Sequence, residues 1–280
     1  MRVIRGAGDL PLAVFEDGPA SGEPVLLVHG YPDTHAVWDR LVPELSDVRV
    51  LRYDVRGAGA SGVPQRTSDY RLPVLAEDLF AVIDALSDRP VHVVGHDWGS
   101  VQAWEAVTAP EARGRVASFT TISGPCLDHV ARLPRSARQL AHSWYIGAFH
   151  VPVLPALTWR ALAPMWPRYL SSTEGVEDAP VAATLAADAV NGMNLYRANL
   201  LPRLRDPQER RTDLPVLQIE LKYDPYVTGD ILRGVERWAP NLRRVPLEAR
   251  HWVQLRRPRL LATLIREHVS GAGAERPAQT

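Results

Sequence analysis

Four short β-branched runs, Pro24–His29, Arg49–Tyr53, Val91–Gly95 and Val116–Ile122, recur between Gly22 and Ser123, with longer helical patterns between them. The runs are nearly continuous in apolar residues, as strands are when both faces of their sheet are covered. Strands spaced by helices pair through crossovers rather than hairpins, so the fold class is α/β with a mostly parallel sheet and helices on its faces. Leu10–Phe15 is expected to add an antiparallel edge strand.

From about Gly124 to Arg211 the strand signal lapses, and prolines, tryptophans and arginines crowd between short helical segments. The alternation resumes after Pro215, with a strand at Val216–Leu221, a helix at Val227–Trp238, a strand at Leu242–Pro246 and a closing helix at Val253–His268. The expected organisation is one core, 1–123 and 212–280, interrupted by a helical cap at 124–211. A chain of 280 residues buries roughly 75% of its unfolded surface, so it needs neither metal nor disulfide for stability. The last ten residues, with Gly271-Ala272-Gly273, read as a frayed tail.

Composition mainly excludes. Acidic and basic residues balance at 32 each, leaving no long-range field to recruit nucleic acid or an anionic membrane. The most apolar stretch, Val151 to Trp166, is broken by Pro152, Pro155 and Pro164 and carries Arg160, so it is not a membrane span. Met1 to Leu10 lacks the apolar core of a secretion signal, and the single cysteine, Cys126, forms no internal disulfide. A cytoplasmic monomer or homodimer is the expectation.

In Val93-Val94-Gly95-His96-Asp97-Trp98-Gly99-Ser100 a buried strand stops and a helix, Val101 to Val107, begins. Glycines flank the turn where a Cβ would collide with a neighbouring element, and the corner thrusts out one side chain, Asp97, in the central place of a nucleophile elbow. Aspartate is also a favoured helix N-cap, which is the competing reading of the same residue.

Three motifs in order, His29-Gly30-Tyr31-Pro32, Asp54-Val55-Arg56-Gly57-Ala58-Gly59-Ala60-Ser61 and Gly95-His96-Asp97-Trp98-Gly99, each at the end of an expected strand, resemble the epoxide hydrolase and haloalkane dehalogenase branch of the α/β-hydrolases. The resemblance covers nearly the whole chain. It implies that Asp97 forms an ester with the substrate and that water then attacks the carbonyl carbon of that ester. It implies an oxyanion hole from the backbone N–H groups of Trp98 and Tyr31. It implies a base at His251, in Ala249-Arg250-His251-Trp252, and an acid at Asp224, in Tyr223-Asp224-Pro225; Asp128, after Val116–Ile122, is an alternative acid. Arg250 stands where the family commonly has glycine. His92 and His96 read as structural.

A departing halide needs only N–H donors, whereas a departing epoxide oxygen needs a hydrogen bond or a proton. The segments Ser143-Trp144-Tyr145-Ile146-Gly147 and Met193-Asn194-Leu195-Tyr196-Arg197 resemble the tyrosine-bearing cap segments of epoxide hydrolases, implying Tyr145 and Tyr196 as the acid pair. Tyr196 also falls on an apolar stripe with Ala182, Leu185, Ala189, Met193 and Leu200, where a plain core tyrosine fits too. The resemblance thus implies a cofactor-free epoxide hydrolase whose partners are a small apolar epoxide and water. A haloalkane dehalogenase and a non-catalytic binding protein are the alternatives. Some relatives of this type are fused to a reductase domain; the tail suggests that any such partner is a separate protein.

Overall fold

The computed structural model describes residues 1–274. Eight strands form one sheet: β1 (Arg2–Arg5), β2 (Pro11–Asp17), β3 (Pro24–Val28), β4 (Arg49–Tyr53), β5 (Val91–His96), β6 (Val116–Ile122), β7 (Val216–Leu221) and β8 (Leu242–Leu247). Their order is β1-β2-β4-β3-β5-β6-β7-β8. The pairs β1/β2 and β2/β4 are antiparallel and all others parallel. β3, β5 and β7 are buried at every position, which accounts for their unbroken apolar sequences.

Alternate residues of each strand feed two separate cores. Leu26 and Val28 pack with Leu75, Leu79 and Ile83 of helix α1 (Leu72–Leu86) and with Ala103 and Trp104 of α2 (Trp98–Val107). Val25 and Leu27 pack on the opposite face, with Leu261 and Ile265 near the chain end.

Between β6 and β7 lie α3 (Leu127–Arg132), α4 (Ala137–His142), α5 (Trp144–Phe149), α6 (Leu154–Leu162), α7 (Trp166–Tyr169) and α8 (Leu185–Arg205), with no strand among the residues described. α8 is tied to the sheet side by polar contacts. Asn199 accepts from Leu72 N at 2.8 Å and donates to Tyr70 O at 2.8 Å, and Asp188 accepts from Gly59 N at 3.1 Å.

Four local expectations need correction. The Leu10–Phe15 region forms β2, but the edge is β1, a four-residue Arg-Val-Ile-Arg strand too short to signal itself. Val227–Trp238 is not an α-helix; it holds two 3₁₀ turns, Gly229–Ile231 and Val235–Arg237, separated by Gly234 in the left-handed region at φ 82°. The closing helix is two, α9 (Val253–Arg256) and α10 (Pro258–Ala274), because Pro258 lacks the N–H that a continuous helix needs. Within the expected frayed tail, Gly271 to Ala274 continue α10, and 275–280 lie outside the described residues.

Behind the β4 loop, Arg56 grips Asp78 through two bonds of 2.6 Å, with both side chains buried. Removing one member strands a buried charge. Asp78→Ala is therefore expected to lower unfolding free energy by about 3–5 kcal/mol, measured by urea denaturation; a loss below ~1 kcal/mol would show that the pair behaves like a surface ion pair.

Candidate active site

β5 ends at His96 and α2 begins at Trp98, so the whole turn falls on Asp97, at φ 51° and ψ −125°. Non-glycine residues enter this region only when their surroundings impose it. Here a Cβ on Gly99 would come within 2.0 Å of Val28 O, so close packing of α2 on β3 leaves the chain no wider path. The Asp97 side chain does not cap α2. Instead its Oδ1 accepts from Tyr31 N at 2.8 Å, and the Trp98 N–H donates to the same carboxylate. Gly30 makes that approach possible, since a Cβ there would sit 2.5 Å from the Asp97 carboxylate. The two N–H donors expected from the sequence thus converge on one carboxylate. His29 fixes the loop behind them, accepting from Val55 N at 2.9 Å.

The loops after β7 and β8 bring Asp224 and His251 to the same end of the sheet. His251 Nδ1 donates to Asp224 Oδ2 at 2.9 Å, and Nε2 stands 3.8 Å from Asp97 Oδ2. Asp224 Oδ1 accepts from Tyr226 N at 2.7 Å and Val227 N at 3.0 Å. Burial works against charge on Asp224, but His251, Ser123 and these N–H donors hold its carboxyl below the usual range. Burial likewise opposes protonation of His251, yet Asp224 first and Asp97 next outweigh it and push the ring up to about 9. On Asp97 burial prevails and raises the carboxyl.

The alternative acid, Asp128, is elsewhere. It is buried and bound to Arg203 at 3.2 Å and Arg210 at 3.4 Å, and both arginines also reach Glu105. Arg250 is exposed, so its cation stands in solvent rather than against His251.

Over Asp97 lies an aromatic cluster. Tyr196 on α8 packs edge-on against Tyr31 at 5.4 Å and Trp98 at 4.8 Å, and Tyr145 on α5 lies 6.1 Å from Tyr196 between ring centroids. Tyr196 is buried on the face of α8 that carries Leu185, Ala189 and Met193, whereas Ala182 precedes the helix. Burial, reinforced by the negative charge of Asp97, raises both phenols well above their ordinary value, so they stay protonated as donors.

Three further residues support this site. Ser123, at φ 53° after β6, bonds the Asp224 carboxylate and lies 3.2 Å from His251 Nδ1. Asp33 accepts from the Trp252 indole at 3.0 Å and is pushed up to about 7 by burial, with Asp97 adding to the effect. His96 donates from Nε2 to His251 O at 3.0 Å and accepts from Gln254 at 3.2 Å, a neutral ring that props the His251 loop. Only His96 had a clue in the sequence, its place beside the corner.

A model of the alpha/beta hydrolase fold matches residues 23–258. "Probable oxidoreductase EphD" of Mycobacterium tuberculosis is 35% identical over 308 aligned positions, covering 99% of this chain and 51% of that protein. The chain therefore spans about half the length of that relative. "Epoxide hydrolase 3" of Xenopus tropicalis is 26% identical, covering 87% of this chain and 70% of that protein. Among solved structures, a variant epoxide hydrolase from Bacillus megaterium, complexed with its diol product, superposes with a TM-score of 0.84 at 23% identity, covering 96% of this chain and all of that one. At that identity the likeness is one of fold.

Proposed function

The chain belongs to the α/β-hydrolase family, and from that premise we propose that it opens an apolar epoxide to a vicinal diol through an ester on Asp97. The observation that carries this reading is a carboxylate at the elbow, held by two backbone N–H groups and faced by protonated phenols on one side and a histidine on the other. The relative named as an epoxide hydrolase supports it.

Asp97 Oδ2 attacks a ring carbon, the carbon–oxygen bond of the epoxide breaks, and the ring oxygen takes a proton from Tyr145 or Tyr196. His251 Nε2 then removes a proton from water, whose oxygen adds to the ester carbonyl carbon. The oxyanion forms on Oδ1, to which Tyr31 N already donates, with the Trp98 N–H on the same carboxylate; such donors are each worth roughly 3–4 kcal/mol of barrier. The tetrahedral adduct collapses by breaking the bond to the substrate oxygen, which takes the proton from His251. Diol leaves, and the second proton of the water, left on the Asp97 carboxyl, passes through solvent to the tyrosinate, which regenerates the carboxylate and the phenol together. The 3.8 Å between His251 and Oδ2 is longer than a hydrogen bond, and suits a base that works through a water. In this reading residues 124–211 are the cap over the sheet, and its aromatic lining by Phe149, Trp159 and the tyrosines selects apolar substrates.

The oxidoreductase name of the mycobacterial relative belongs to a protein about half of which lies beyond this match. The glycines Gly57, Gly59 and Gly62 follow β4 but open no helix; of these Gly59 lies against Asp54, which accepts from Ala60 N at 2.9 Å and His35 N at 2.8 Å. A dinucleotide loop requires a helix N-terminus at that place.

Incubation with a panel of apolar epoxides should yield diols, and haloalkanes should release no halide; halide release without diol would replace the reading with dehalogenation. The phenols give a finer test. Tyr145→Phe and Tyr196→Phe should each slow ester formation, and the double variant should lose about 10²- to 10⁴-fold, read by stopped-flow single turnover. Unchanged rates in the double variant would remove both from the mechanism.

A further inference from the structure

The balanced charge of the whole chain hides a local imbalance. From His129 to Thr173 there are five arginines, Arg132, Arg135, Arg138, Arg160 and Arg168, and no acid or lysine. All five are exposed, and among the described residues the last four have no carboxylate partner. Asp230, which accepts from Ser136 Oγ at 2.7 Å, stands at the margin.

The same stretch holds the exposed apolar side chains. Eight of the fifteen large hydrophobic residues exposed among those described lie between Leu140 and Met165, including Trp144 at 74%, Val153 at 68%, Leu154 at 64% and Leu157 at 53%. Scattered exposed hydrophobics need no explanation, but a concentration of this kind does. α6 shows the inversion most clearly. Its Ala156 and Trp159 pack inward on the core, while Leu154, Leu157 and Ala161, at spacings of three and four, face out beside Arg160. A water-facing helix surface carries charge at such positions; this one carries leucine.

We infer that the outer face of residues 138–168 docks peripherally on an anionic lipid bilayer. Leucines of α6 and the tryptophan of α5 at the outer surface, among five arginines with the one acid at the margin, match the interface between acyl chains and negatively charged headgroups. A second copy fits less well, because a two-fold contact through this face sets five arginines against five with only the marginal Asp230 of each copy to answer them. Overall neutrality is no obstacle, since screening limits each charge to about 8 Å at physiological salt and docking is decided locally. Trp144 faces out while its neighbour Tyr145 packs into the cluster above Asp97. The docked face therefore borders the aromatic cluster above Asp97.

Binding is read without turnover, so it stands apart from the chemistry above. The full chain is sedimented with vesicles of phosphatidylcholine, alone or doped with phosphatidylglycerol, at low and high salt. Binding to the doped vesicles, released by salt, is expected. Arg138→Gln, Arg160→Gln and Arg168→Gln together should weaken it about a hundredfold, at roughly fivefold for each cation. Leu154→Ser with Leu157→Ser should weaken it at least about tenfold. These positions are exposed, and an unchanged melting temperature verifies folding. Failure of the wild type to bind doped vesicles at low salt overturns the inference, as does binding indifferent to both sets of substitutions. A dimer that the leucine changes dissociate, in protein that ignores vesicles, assigns the face to a second copy instead.

Discussion

Asp97→Gly is expected to abolish diol formation, by roughly 10⁶-fold, while making the protein more stable. The first effect follows from removing the only atom proposed to bond carbon. The second follows from the backbone. Asp97 sits at φ 51°, ψ −125°, where a side chain costs about 1–3 kcal/mol that glycine does not incur. The lost carboxylate is also one whose charge burial disfavours. Asp97→Ala should lose as much activity without relief of the backbone strain. Opposite movement of activity and melting temperature distinguishes a residue kept for its chemistry from one kept for packing. Diol formation that survives either substitution refutes the ester route.

His251→Gln is expected to stop the cycle halfway. The amide keeps a hydrogen-bond donor for Asp224 but cannot take a proton from water. The ester should accumulate as a mass increase equal to the substrate on the peptide carrying Asp97, with steady-state turnover down about 10²- to 10⁴-fold. The wild-type pH profile follows from the same pair. With Asp97 ionised, His251 titrates at about 9 and is protonated at neutral pH. Ester formation removes the Asp97 charge, one of the influences that raise the ring, so in the intermediate His251 loses its proton at a lower pH. When ester hydrolysis limits turnover, kcat should rise with pH through a value below 9 and be lost on acidification. The buried phenols titrate well above their ordinary value, so no alkaline fall from them is expected up to about pH 10. A descending limb at neutral pH would show that a different group governs the reaction.

Legibility in the sequence tracks how local each feature is. Arg49–Tyr53, Val116–Ile122 and Val216–Leu221 end where their β-branched runs end, because a strand covered on both faces writes its whole length in apolar residues. The corner at Asp97 and the donor loop at Tyr31 were visible for a related reason, since their glycines are demanded by contacts of the backbone itself. Asp224 and His251 stood in recognisable loops, and the fuller motif already favoured Asp224 over Asp128; three dimensions add the arginines that claim the latter. Ser123 and Asp33 could not have been picked out: each acquires its position from residues about a hundred or more places away, Asp224 and Trp252. The 227–238 segment misled because its apolar spacing is helical while Gly234 reverses the chain.

The cluster of Glu105, Asp128, Arg203 and Arg210 bears on grafting. Two buried acids and two arginines join α2 and α3 to the end of α8 and the irregular segment that leads into β7. A chimera that imports a foreign segment at Gly124 and rejoins after Arg211 exchanges three of the four charges and leaves Glu105 on the host. Such hybrids should fold only when the donor supplies a cation for that orphaned carboxylate, so the junction of the graft, more than its length, decides which transplants succeed.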